Sequence, residues 1–110
     1  MSALYAMRYL GQTGVGAGAI YIGKGKIAGM DVGGGRYDGS YTEAGGRLKG
    51  NATLSAPSGA TLVTGQQMAA GSKIPLSVDW PAAFADGAAQ SITVAGRPVQ
   101  VTFEKISDIP

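Results

Sequence analysis

The sequence predicts an all-β fold: a small antiparallel eight-stranded barrel with one or two short helical turns. Three observations carry this. Short stretches alternate apolar and polar residues with a period of two. Glycine, 19 of 110 residues, recurs between and within those stretches and keeps the connections tight. No pattern of helical period is long enough to pack as a major element. The length implies one domain, 1–110, with one modest core.

The elements follow in order. ALYAMRYL (3–10) sets Tyr5, Met7 and Tyr9 against Leu4, Ala6 and Arg8, a strand partly covered on both faces. GVGAGAIYI (14–22), KIAGMDV (26–32) and GRYDGSYT (35–42) follow after very short connections, with a tight hairpin turn over 22–26. RLKGNATLSA (47–56) gives the clearest alternation. Leu48, Gly50, Ala52, Leu54 and Ala56 share the buried face; Arg47, Lys49, Asn51, Thr53 and Ser55 share the wet one.

A single helical turn is expected over 66–70, ending at Gly71. KIPLSVDW (73–80) turns Ile74, Leu76 and Val78 inward. Pro75 falls on the outward parity and, lacking an N–H, implies an edge or irregular strand. Trp80 is placed to plug one mouth of the barrel. A second helical turn is expected over 81–85, opening on Pro81. SITVA (91–95), a turn at 95–98 and PVQVTFEK (98–105), with Val99, Val101 and Phe103 inward, complete the count. A sandwich would satisfy the same strands. Glycines at 16, 18, 39 and 50 favour the barrel, because inside strands they permit sharp coiling and close backbone approach.

Composition removes whole classes of function. The chain has no His, the commonest general base and transition-metal ligand, and no Cys, which excludes thiolate zinc sites and a disulfide scaffold. An enzyme, a cofactor and a metal are not expected. Nine basic against seven acidic residues make no dense basic field, so nucleic-acid binding is not expected. Arg8 interrupts the first apolar run and no basic segment precedes it, unlike a secretory signal. No apolar run reaches the ~18 residues of a membrane helix. The expected location is cytoplasmic.

GAIYIGKG (18–25) falls near the phosphate-loop pattern, but Gly25 stands where its hydroxyl belongs, and the β-branched and aromatic residues 19–22 read as strand. Asp31, Asp38 and Glu43 lack the spacing of a calcium loop. Two candidate sites remain. The aromatics Tyr5, Tyr9, Tyr21, Tyr37, Tyr41, Trp80, Phe84 and Phe103 could line an interior ligand cavity, with Tyr21, Tyr37, Tyr41 and Phe103 the four singled out. Arg47 and Lys49, with Lys24, Lys26 and Arg36, could gather into a basic patch for an acidic partner.

The run GAGAIYIGKGKIAGMDVGGGRYDGSYTEAGGRLKG, within 14–50, combines G-x-G, an apolar strand, a K-G turn, G-x-D and Y-x-G-x-Y. It resembles the small GrlR family, named for a negative regulator of type III secretion genes in enteric bacteria; the order of the later elements agrees. The resemblance implies a lipocalin-like barrel with a small apolar interior, usually dimeric, that binds a transcriptional activator protein rather than catalysing a reaction. It also implies partner contacts in the loop after the Y-x-G strand. Here that loop, 42–46, carries one acid, Glu43, followed by Arg47.

The expected function is therefore non-enzymatic: a homodimeric, GrlR-like regulator of transcription or secretion acting through protein–protein contact. The alternative is a carrier or sensor of a small apolar ligand. The barrel interior discriminates them, since small residues there leave space and aromatics refill it.

Overall fold

A computed structural model describes residues 2–12 and 14–110. The strands are β1 (Ser2–Leu10), β2 (Val15–Gly23), β3 (Lys26–Asp31), β4 (Arg36–Ala44), β5 (Arg47–Ala56), β6 (Ala60–Thr61), β7 (Gln67–Met68), β8 (Ser72–Pro81), β9 (Gln90–Val94) and β10 (Arg97–Asp108). Eight of them form one antiparallel sheet in the order β8-β5-β4-β3-β2-β1-β10-β9. The sheet curls until β8 and β9 meet, and so nearly closes into a barrel.

Three of the hairpins are two-residue turns with positive φ at both central positions: Lys24 (51°) and Gly25 (78°), Gly45 (61°) and Gly46 (76°), Ala95 (49°) and Gly96 (83°). This is the type I′ turn, whose twist matches that of the flanking strands. The ladders run directly into them, with Gly23 opposite Lys26, Ala44 opposite Arg47 and Val94 opposite Arg97.

The expected alternation holds. Along β5, Leu48, Ala52, Leu54 and Ala56 are buried; along β10, Val99, Val101 and Phe103 are; along β8, Leu76, Val78 and Trp80 are. Pro75 is exposed on β8, which is a terminal strand of the sheet order. Gly39 explains why the wall can coil tightly: a Cβ there would collide with the Asn51 carbonyl and lie 2.6 Å from Ala52 Cα. At Gly50 the Cβ would lie 2.8 Å from Tyr41 Cβ.

Both expected helical turns are corrected, since the described residues contain no helix. Residues 66–70 instead contribute β7, which pairs with β6 in a two-residue ribbon. Two-residue strands carry too little alternation to stand out in sequence. Residues 82–85 form turns, and Phe84 drops from them into the core. With no helix among the described residues, none is long and apolar enough to cross a membrane.

Candidate ligand site inside the barrel

The two ends of the barrel differ. At one end, Tyr5 of β1, Trp80 of β8, Phe103 of β10 and Phe84 of the 82–89 loop form a closed aromatic cluster. Ring centroids lie 5.0–5.8 Å apart, and Phe84 meets Phe103 edge-on at 86°. Trp80 thus helps seal that end as expected, but Phe84 is its centre, at 1% exposure.

Towards the other end the interior is hollow. A cavity of about 180 Å³ lies above the aromatic floor, walled by apolar side chains such as Ile20, Ile27, Leu54, Leu76, Val99 and Val101. The segment 57–71, with its β6–β7 ribbon, lies across this end and contributes Leu62, Val63 and Met68 to the wall. Small residues shape the space: Ala52 holds an inward position that a larger side chain would fill, and Gly16 makes room for the ring of Tyr9.

One acidic side chain sits among the described residues of this wall. Asp31 ends β3 on the inward parity of Ile27 and Gly29. Its Oδ1 accepts hydrogen bonds from the backbone N–H of Gly33 (3.0 Å) and Gly35 (2.9 Å), and its Oδ2 accepts one from the Tyr37 hydroxyl (2.7 Å). Gly35 is required for this fit, because a Cβ there would stand 2.7 Å from Oδ2. Tyr9 hydrogen-bonds into the same group, its ring lying over its cross-strand partner Gly16. Burial, and then Asp31, push the phenols of Tyr9 and Tyr37 well above their usual range, so both remain protonated donors at neutral pH.

Of the four aromatics singled out to line a cavity, the structure brings Tyr37 and Phe103 to it. Tyr21 is a correction: it stands one residue out of phase with the inward Ile20 and Ile22, and its hydroxyl pairs with Ser2 Oγ at 2.8 Å. Tyr41 is partly buried against the core opposite Gly50, but it is outside the cavity lining. The sequence reading included Tyr9 among the cavity aromatics but missed Asp31 as a cavity residue. The signal was present, as an acid on the inward parity followed by three glycines, the setting in which Asp caps its own turn.

Two members of the other expected patch, Arg47 and Lys26, are held in ion pairs on the outer wall. Glu43, Arg47 and Lys49 are all exposed. Arg47 is bound to Asp79, through its carboxylate at 2.9 Å and its carbonyl at 2.9 Å. Lys26 pairs with Asp38. Among the described residues no group of three or more acidic side chains could hold a metal ion. No family model, curated protein or solved structure matches this chain.

Proposed function

We propose that this chain is a non-enzymatic cytoplasmic barrel that carries or senses a small apolar ligand in its interior. The observation supporting this is the apolar cavity of about 180 Å³ set above a sealed aromatic floor. Protein cores leave few voids larger than a water molecule. An apolar ligand there gains van der Waals contact with a wall that otherwise lacks a partner.

Native mass spectrometry of protein purified gently from its own cells tests the reading. A reproducible adduct of about 100–150 Da, the size suited to such a volume, is the expected result. A bare mass, together with no change in Trp80 emission on adding small apolar probes, would refute it. Trp80 is the only tryptophan and lines the cavity, so its emission reports occupancy directly.

A second reading, a homodimer acting by protein contact as the GrlR resemblance implies, is favoured by the outer face of β1–β3. Leu10 and Met30 are exposed there beside the small Ala6, Ala17 and Ala19, with Arg8 among them. The outer face of β4, β5 and β8 carries Asp38, Arg47 and Asp79, and Lys26 of β3 pairs with the first of these. A partly apolar face of this kind suits a second copy of the chain. A dimer by light scattering that Met30→Glu converts to monomer would support this role.

A further inference from the structure

The head group of the ligand follows from the hydrogen-bonding character of the cavity wall, granted the carrier reading above. The side-chain donors on that wall are already committed. Tyr37 donates to Asp31 (2.7 Å), Thr61 to Gln67 Oε1 (3.1 Å), Thr64 to Gln66 Oε1 (3.0 Å) and Trp80 to the Ser91 carbonyl (3.3 Å); Tyr9 is engaged with Asp31 and Tyr37. Once a phenol has donated its proton, what it still offers is lone pairs. The polar end of the cavity therefore presents acceptors: the Asp31 carboxylate and two phenol oxygens beside it.

Its charge agrees. Asp31 is the one ionisable acid or base among the lining residues apart from the two phenols, and no Lys or Arg lines the cavity. The ion pairs among the described residues lie on the outer surface and do not include Asp31. The partners that the Asp31 carboxylate has are backbone N–H and phenol donors rather than a cation. A carboxylate or phosphate head would meet like charge and no free side-chain donor, and would be rejected. A head that brings both positive charge and several donors would be held.

We infer that the cavity takes a small amphiphilic amine: an apolar body of about six carbons, since a cavity near 150 Å³ already holds benzene, with its ammonium group against Asp31, Tyr9 and Tyr37. An ammonium has three donors and no acceptor, suiting Asp31 Oδ2 and the two phenol oxygens, since Oδ1 already accepts two backbone N–H groups. Asp31 is only half-buried, so the head stays partly hydrated while the tail replaces empty space.

Hexylamine, hexan-1-ol and hexanoate share one tail and differ only in the head, so titrating each at pH 7 against Trp80 emission, with calorimetry in parallel, isolates the head-group term. Hexylamine is expected to bind at least tenfold tighter than hexan-1-ol, and hexanoate at least a hundredfold weaker than hexylamine. Asp31→Asn should bring the amine down to the alcohol's affinity and leave the alcohol nearly unchanged. Tyr37→Phe, which keeps the carboxylate, should cost the amine a smaller factor and serves if the Asp31 variant does not fold.

Hexanoate binding as tightly as hexylamine, or an amine preference that survives both substitutions, would overturn the assignment while leaving the carrier reading intact. Binding of none of the three to folded protein would overturn both.

Discussion

Phe84→Ala tests the sealed end of the barrel. Phe84 is 1% exposed, and its ring lies 5.1 Å from Tyr5, 5.8 Å from Trp80 and 5.2 Å from Phe103. Burying a phenyl group is worth about 1.5–3 kcal/mol by area alone. The edge-on contact with Phe103 adds about 0.5–1.5 kcal/mol. The cavity left among three rings anchored on strands cannot collapse, which brings the total to about 3–5 kcal/mol. For a domain of this length that is a fall in Tm of roughly 15–20 °C. Urea unfolding followed by Trp80 emission measures it, and Phe84→Leu should lose only about 1–2 kcal/mol. A loss below about 1.5 kcal/mol for Phe84→Ala, smaller than typical Phe truncations, would mean that the aromatic cluster does not hold that end together.

The type I′ turns place Lys24 and Ala95 in a left-handed conformation, so Lys24→Asn or Ala95→Asn should raise stability by about 0.5–1 kcal/mol; a higher urea midpoint at unchanged slope confirms it, and a lower midpoint contradicts the turn type. Gly50→Val adds a side chain where even a Cβ stands 2.8 Å from that of Tyr41, and should cost more than about 2 kcal/mol, read from the same unfolding curves; a neutral effect would mean that the wall is looser than described. The raised pKa values of Tyr5, Tyr9 and Tyr37 mean that the folded state holds these phenolic protons after the unfolded chain has released them. Their contribution to stability is complete below pH ~10 and declines above it, so ultraviolet titration should show these phenols ionising only as the barrel opens, and Tyr37→Phe should flatten the alkaline loss. Arg47 and Asp79 are each about half exposed, and a double-mutant cycle on the pair should return no more than about 1 kcal/mol.

The parts of the fold that were legible in sequence are those where one face alone is buried. RLKGNATLSA matches β5 from Arg47 to Ala56 because every second residue is polar and wet. β1 was read as partly covered on both faces, and its outward Leu4 and Ala6 are partly buried while Arg8 and Leu10 are exposed. The misread segments lack that contrast. Residues 66–70 and 81–85 carry good helix formers beside a Pro and a Gly, and propensity pointed to helical turns. Tertiary context prevailed: Met68 is drawn into β7 and Phe84 into the core.

The site was legible only in part. Tyr37 and Phe103 were found because aromatics on inward positions stand out. Tyr21 was misplaced because in GAIYIG neighbouring apolar residues point to opposite faces, and hydrophobicity alone does not say which face is inside. Asp31 escaped notice as a cavity residue because the glycines after it mark a turn without saying which face its carboxylate takes; its partners are two backbone N–H groups of that turn and the Tyr37 phenol of β4.

The contact between β8 and β9 makes this molecule a rolled sheet rather than a tube. No backbone ladder joins those strands among the described residues; the Trp80 indole reaches across to Ser91, and Ile74 and Ile92 flank the line of contact. Parting any other neighbouring pair of the sheet breaks a row of peptide hydrogen bonds, whereas parting this pair breaks one side-chain bond and some apolar contact. Thermal breathing therefore has a preferred direction. The barrel unrolls along this line before it frays elsewhere, and since Ile92 also lines the cavity, each such excursion opens the interior sideways while the strap over the mouth stays in place.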